Sequence, residues 1–248
     1  MISGRTRLVA LLGHPVADSL SPVMQNAAFA ARGLDWAYVA CDVAPEGFET
    51  AVRGLVAAGF AGANVTTPHK EAAAELSETD LDSVNTLVFE DGRIRGYSTD
   101  AAVLEGVSAD RSVVLGDGGA ALAFRVARPE ARAFSRGGDW PPDVRDADLV
   151  VNATSERDEV LVELGPGQTL VDLPYPESAT AAAAREAGAN VIAGIEVLVA
   201  QGAVAFELWT GDPAPVEVMR RALGIARDAD FRMPGSPRHP SEPTGRSE

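Results

Sequence analysis

The segment Ser112-Val113-Val114-Leu115-Gly116-Asp117-Gly118-Gly119-Ala120-Ala121 sets a glycine-rich turn between a short β-branched run and an alanine-rich helix. A strand that runs through glycines straight into a helix opens a β-α-β unit, and such units build parallel sheets. The rest of the chain keeps the same rhythm. Leu8–Leu12, Trp36–Val43 and Phe60–Val65 read as strands, separated by helices opened at Ser21-Pro22 and at Pro45 and stopped at Gly33 and Gly59. Val84–Phe89, the turn Asp91-Gly92 and Arg93–Tyr97 predict a hairpin. After the glycine turn, strands are expected at Ala131–Ser135, Leu149–Asn152, Thr169–Asp172 and Asn190–Ala193. Helices are expected over about Ser178–Ala187, Ile195–Trp209 and Val216–Arg227. The restart near residue 112 points to two α/β domains rather than one continuous sheet. Met233–Glu248 carries four prolines and almost nothing apolar, and reads as a disordered tail.

Composition removes several functional classes. The 248 residues carry 21 Lys+Arg against 36 Asp+Glu, a net charge of -15 that leaves no basic surface for nucleic acid. One cysteine, Cys41, excludes a disulfide framework, and His14, His69 and His239 are too scattered for a zinc site. No apolar run approaches the roughly 18 residues that span a bilayer, and no secretory signal precedes the first strand. The expectation is a soluble, cytoplasmic protein with no membrane partner and no metal.

Lys70 is the only lysine; every other basic residue is arginine. Of the two side chains only lysine gives up its proton readily, so its retention here points to proton transfer. Thr67 reads as an N-cap with Pro68 at the first helical position, which puts Lys70 in the first turn. There the helix dipole disfavours a cation by a few tenths to about 1 kcal/mol. A residue kept against a local preference marks a functional site; the plain alternative is a solvated lysine paired with Glu71 or Glu75. Asp100 follows Ser98-Thr99 at another helix start, at the junction of the two α/β runs where clefts form. Alone it is also explained as a favourable dipole contact. Ser19-Leu20-Ser21-Pro22 offers two hydroxyls at a helix N-terminus, either a carboxylate or phosphate receptor or simply an N-cap.

Gly116, Gly118, Gly119 and Ala120 fit the G-x-G-x-x-A pattern of a dinucleotide site, where glycines let the backbone approach a pyrophosphate. Twenty residues beyond Gly116, where an acid would grip a ribose 2′-hydroxyl, stands Arg136, which favours a 2′-phosphate and so NADP over NAD. Against a good site, Asp117 puts a negative charge into the loop. Pro129 cuts the following helix short, and the chain from Gly137 to Ala147 is too broken for a crossover helix.

Taken together, the motifs resemble the shikimate dehydrogenase family over nearly the whole chain and in order. They are Gly13-His14-Pro15 through Ser19-Leu20-Ser21-Pro22, Gly62–Lys70, Val84-Asn85-Thr86-Leu87, Ser98-Thr99-Asp100, the glycine loop, Asn152-Ala153-Thr154, and Gln201-Gly202-Ala203 with Phe206–Gly211. The resemblance implies a substrate-binding domain over residues 1–100, completed by C-terminal helices at 200–232. It also implies a Rossmann-like NADP-binding domain at 101–199 with a shortened nucleotide half, and leaves 233–248 as the tail. It implies that Lys70 donates and accepts the proton with Asp100 orienting it. Ser19 and Ser21 would hold the substrate carboxylate, Asn64, Thr66, Asn85, Asp100 and Gln201 the ring hydroxyls, and Tyr175 would also reach the substrate. Gly116, Gly118, Gly119, Ala120, Ser135, Arg136, Asn152, Thr154 and Gly194 would serve NADP. The implied reaction is hydride transfer between NADPH and the C3 carbonyl of 3-dehydroshikimate or an analogue such as quinate or aminoshikimate. The implied setting is aromatic amino acid biosynthesis, in a monomer or homodimer.

The departures from the family pattern fall unevenly. Gln25 stands for the usual histidine and Ser98 for the usual asparagine. Gly194-Ile195-Glu196-Val197-Leu198 replaces a glycine–methionine stretch, with Glu196 either a surface charge or a sign of altered cofactor contact. Ser135-Arg136-Gly137 is what remains of an asparagine–arginine–threonine motif. The competing expectation is therefore a homologue that keeps the acid pocket, has lost the dinucleotide, and binds, regulates or catalyses a redox-neutral step.

Overall fold

The structure is a computed structural model, and it describes residues 2–225. The tail expected at 233–248, and Arg227 where the last helix is expected to end, lie outside the described residues.

Two five-stranded sheets organise the chain. The first has the order β2-β1-β3-β4-β5, with β1 at Arg7–Gly13, β2 at Trp36–Asp42, β3 at Gly62–Val65, β4 at Thr86–Glu90 and β5 at Arg93–Tyr97. β1 pairs in parallel with β2 and β3, whereas β3-β4 and β4-β5 are antiparallel, the latter through the expected Asp91-Gly92 turn. Both turn residues have positive φ (51° and 77°), the conformation a two-residue hairpin requires. The period of two along β1 sorts its side chains. Val9 and Leu11 pack on helices α1 (Ser21–Ala31), α6 (Gly194–Thr210) and α7 (Val216–Ala222), through Met24, Phe29, Phe206, Trp209 and Met219. Ala10 and Leu12 face α2 (Phe48–Ala57) and α3 (Lys70–Leu76), through Phe48, Val52 and Ala73. Being buried on both faces explains why β1 reads as an unbroken apolar run.

The second sheet is parallel throughout, in the order β10-β9-β8-β6-β7. Its strands are β6 at Ser112–Leu115, β7 at Arg132–Phe134, β8 at Leu149–Asn152, β9 at Thr169–Asp172 and β10 at Asn190–Ile192. α4 (Gly119–Ala127) covers one face through Ala121 and Phe124, and α5 (Ala179–Glu186) the other through Ala181 and Ala184. The connections β7–β8 and β8–β9 carry no helix; Val144, Ala147, Leu161, Val162 and Leu164 from these loops fill the space instead. The proline-rich sequence after Arg136 accounts for the first of these.

α6 joins the two cores. Val197 and Ala200 in its first half pack in the second, Ala203, Phe206 and Trp209 in the first. A rigid rod shared by both cores fixes the cleft between the sheets. α7 ends at Ala222 rather than near Arg227, because Gly224 (φ 76°) turns the chain back and Ile225 N–H caps the Arg220 carbonyl at 3.1 Å.

Candidate active site

The carboxyl ends of β1, β3, β8 and β9, together with the start of α6, enclose a cleft of about 690 Å³ between the two sheets. Crevices of this kind form beyond the carboxyl ends of parallel strands. Ser19, Ser21, Asn64, Thr66, Lys70, Asn85, Asp100, Tyr175 and Gln201 all stand on its wall.

Lys70 is the first residue of α3, so the helix begins later than a cap at Thr67 would place it. His69 N–H donates to the Thr66 carbonyl (2.9 Å), closing a turn ahead of the helix, and Thr67 makes no side-chain cap. Asp100 likewise begins a short 3₁₀ helix, Asp100–Leu104. The two side chains meet with Nζ 2.6 Å from Oδ2, each only 13% exposed. The ammonium thus stays at an unfavourable helix end because a carboxylate faces it, and neither Glu71 nor Glu75 takes it up.

Behind this pair lies a hydrogen-bond relay. The Asn85 amide donates to Asp100 Oδ1 (2.8 Å) and Thr99 Oγ1 (3.0 Å), while its Oδ1 accepts the Thr99 backbone N–H (2.8 Å). The Asn64 amide donates to the Asn85 carbonyl (3.1 Å) and Thr86 Oγ1 (3.0 Å), and its Oδ1 accepts from the Tyr38 hydroxyl (2.8 Å). Both amide groups have spent their N–H donors within the protein. The Asn85 oxygen is also taken up, by Thr86 and Thr99, so what the relay presents to the cleft is the remaining acceptor capacity of Asn64 and a fixed Asp100. Tyr38 escaped the sequence reading, since only its inward position on β2 distinguishes it. Burial pushes its phenol well above the ordinary range, so it remains a neutral donor, and its hydroxyl also pairs with Ser21.

Ser21 sits inside the first turn of α1 with Leu20 at the cap position, so it does not cap the helix, and its hydroxyl lies beside the Tyr38 phenol. Ser19 pairs with the Tyr175 hydroxyl, whose titration burial pushes up. Gln201 donates to the Leu198 carbonyl (2.9 Å) from the middle of α6. Gly13 must be glycine: a Cβ there would lie 2.4 Å from the Thr66 methyl. Arg157, which the sequence reading did not single out, brings the one guanidinium to the cleft wall among the described residues.

On the side of the second sheet, Ala120 of α4, Thr154 of the loop after β8 and Gly194 at the start of α6 reach the wall of the cleft. Gly116 (φ 116°) turns the chain after β6, and Gly118 caps α4 with open space around it. A nine-residue helix beginning at such a turn presents free N–H groups, a donor set that fits a pyrophosphate. Gly119 serves another contact, since a Cβ there would lie 2.7 Å from Ser83 Oγ and 3.1 Å from Lys70 Cβ. The glycine loop therefore docks on the lysine segment of the first sheet, and Ser83 Oγ donates to the Gly119 carbonyl at 3.0 Å.

Asn152 is fully buried and donates to Asp172 Oδ1 (2.7 Å), while its Oδ1 accepts from the Thr154 hydroxyl (2.7 Å) and orients that loop. Ser135 and Arg136 follow β7 beside the glycine loop, where Gly116 N–H donates to the Phe134 carbonyl (2.8 Å). The Arg136 guanidinium is held by Glu156 and Glu159. Glu196 is neither a surface charge nor on the cleft wall: it is buried, with its carboxylate 2.6 Å from Arg220 of α7. Among the described residues no group of three or more His, Cys, Asp or Glu could hold a metal, and no helix is long and apolar enough to cross a membrane.

Residues 11–87 match the shikimate dehydrogenase substrate binding domain, and residues 194–223 match the shikimate 5'-dehydrogenase C-terminal domain. The chain is 40% identical to shikimate dehydrogenase (NADP(+)) of Methanopyrus kandleri, covering 90% of this chain and 96% of that one. With the same enzyme of Moorella thermoacetica the identity is 41%, over 96% and 99% of the two chains. Among solved structures, the Thermus thermophilus shikimate 5-dehydrogenase in complex with NADP(H) and shikimate is similar at a TM-score of 0.75 and 31% identity, covering 88% of this chain and 98% of that one.

Proposed function

The chain belongs to the shikimate dehydrogenase family, and on that premise we propose that it interconverts 3-dehydroshikimate and shikimate, or a close analogue such as quinate or aminoshikimate, with NADP as the redox partner. The observation that carries the proposal is the Lys70–Asp100 pair, 2.6 Å apart on the wall of a cleft that also holds Ser19, Ser21 and Tyr175.

When bound, the dinucleotide supplies or takes up the hydride. The remaining chemistry belongs to the chain. Hydride addition leaves an alkoxide on the former carbonyl oxygen, and Lys70 gives that oxygen the proton; in the oxidative direction Lys70 takes it back. Asp100 keeps the ammonium aimed, and its remaining lone pairs accept a ring hydroxyl. Asn85 fixes Asp100, while Asn64 and Gln201 offer acceptors to hydroxyls on the same ring. Ser19, Ser21 and Tyr175 receive the carboxylate beside the start of α1. Asn64 and Gln201, whose amides already donate to protein partners, keep acceptor capacity that suits a polyol, because an analogue lacking a hydroxyl leaves a buried acceptor unpaired. Gly116, Gly118 and the first turn of α4 would hold the pyrophosphate, with Thr154 and Gly194 lining the approach. In this reading the first sheet with the C-terminal helices is the substrate domain and the second sheet the nucleotide domain.

The test follows nicotinamide absorbance with shikimate, quinate and NADP, in the wild type and in Lys70→Ala. Shikimate-dependent reduction of NADP that Lys70→Ala abolishes is expected. Saturable shikimate binding without any dinucleotide turnover would overturn the proposal in favour of a binding or redox-neutral homologue.

A further inference from the structure

β6 lies between β7 and β8 in the second sheet, so the glycine loop after β6 is flanked by the loops that follow those two strands. Arg136 stands in one of them, and Glu156 and Glu159 in the other. The Arg136 Nη2 group donates to Glu156 Oε2 at 3.2 Å and to Glu159 Oε2 at 2.7 Å. The ion pair thus ties together the two loops on either side of the turn that would hold the dinucleotide phosphates. Glu156 is built into its loop, its Oε1 accepting the Asp158 N–H at 2.9 Å. Backbone N–H groups of Asp158 and Glu159, with Arg136 beside them, hold its carboxyl below the usual carboxylate range, so it stays charged.

One guanidinium between two carboxylates leaves this corner with a net negative charge. A 2′-phosphate, which brings roughly −1.5 to −2 at neutral pH, must compete with both acids for Arg136 and meets their repulsion. A ribose 2′-hydroxyl meets no repulsion and finds an acceptor. The competition is winnable, because Arg136 and Glu159 are 53% and 65% exposed and such pairs are weak.

We propose that Glu156 and Glu159 set the cofactor selectivity of this protein. They occupy the arginine that would read the 2′-phosphate and offer the 2′-hydroxyl a partner, so NADP and NAD are discriminated only weakly. The proposal rests on the reading of the glycine loop as a dinucleotide site.

Its test is a pair of equilibrium titrations, NADPH and NADH against the full chain, read by nicotinamide fluorescence without substrate. Dissociation constants for the two in the wild type are expected within about tenfold of one another. Glu159→Gln should tighten NADPH by about three- to tenfold, the double variant Glu156→Gln/Glu159→Gln by more, with NADH unchanged or weakened. The gain should shrink in high salt. Dinucleotide binding with the NADPH-to-NADH ratio unaltered in both variants would refute the proposal alone. Failure of both dinucleotides to bind the wild type would remove the glycine-loop reading and the proposal with it. Glu159 is solvent-facing, and shikimate binding in each variant checks that the fold is intact.

Discussion

Replacing Lys70 by methionine removes the cation and keeps most of the side-chain volume. Asp100 then remains 13% exposed with its Oδ1 still bonded to Asn85 and its Oδ2 facing a thioether. Breaking a buried pair from one side costs about 3–5 kcal/mol, because the charge left behind has no partner. The cleft lets water reach Asp100, so about 2–3 kcal/mol is expected here, read as a shift in urea unfolding followed by tryptophan fluorescence. Adding Asp100→Asn takes away the stranded charge. Lys70→Met/Asp100→Asn should therefore recover stability to within about 1 kcal/mol of the wild type. Activity should not recover. General acid–base catalysis contributes about two to four decades, so kcat in both variants should fall by about a thousandfold, or about 4 kcal/mol of barrier. Stability and turnover then move apart between the single and double variants, which no loss of folding can mimic. A single variant within about tenfold of wild-type kcat would remove Lys70 from proton transfer. A double variant no more stable than the single would refute the account of the pair.

Tyr38→Phe should cost about 1–3 kcal/mol of stability, since Asn64 Oδ1 loses its donor in a buried site, and should raise KM more than it lowers kcat; an unchanged KM would show that the relay does not shape the pocket. Gly119→Ala forces a Cβ against Ser83 Oγ and Lys70 Cβ, so kcat should drop by a larger factor than NADPH affinity, and a loss confined to NADPH affinity would contradict the docking contact. Burial holds the Asp172 carboxyl above its ordinary range despite donors from Asn152 and Ser178. The folded protein then binds that proton more tightly than the unfolded chain does. Its stabilising contribution is complete below about pH 4 and is lost as pH rises through the folded value. The unfolding free energy of wild type minus Asp172→Asn should accordingly decrease over that interval, and a flat or rising difference would contradict the assignment.

Local preference made most of the fold legible. Apolar runs of fixed period, prolines at helix starts and glycines after helix ends give strands and helices whose positions hold to within a few residues. The exceptions are local as well: α7 stops early because Gly224 turns the chain, and α3 starts late because a turn precedes it. Lys70 stood out by its rarity together with its place at a helix start. Asp100 and the Ser19–Ser21 pair were candidates one by one, and only the resemblance added Tyr175 and joined them into one site, because nothing in their spacing says that they face one cleft.

What a sequence fixes by itself in this protein is whatever depends on neighbours along the chain: element type, the parallel α/β plan, and a solitary lysine at a helix start. Which polar groups remain available to a ligand was decided by the tertiary structure. By resemblance Asn64 and Asn85 would bind ring hydroxyls, yet their N–H groups are spent on partners up to 22 residues away. Arg136 read as a free phosphate receptor, yet two glutamates 20 and 23 residues further on hold it. Glu196 stood between two readings until Arg220, 24 residues later, enclosed it. A hydrogen bond or ion pair is satisfied by proximity in space, and residue order does not record which groups folding brings within three ångströms of one another.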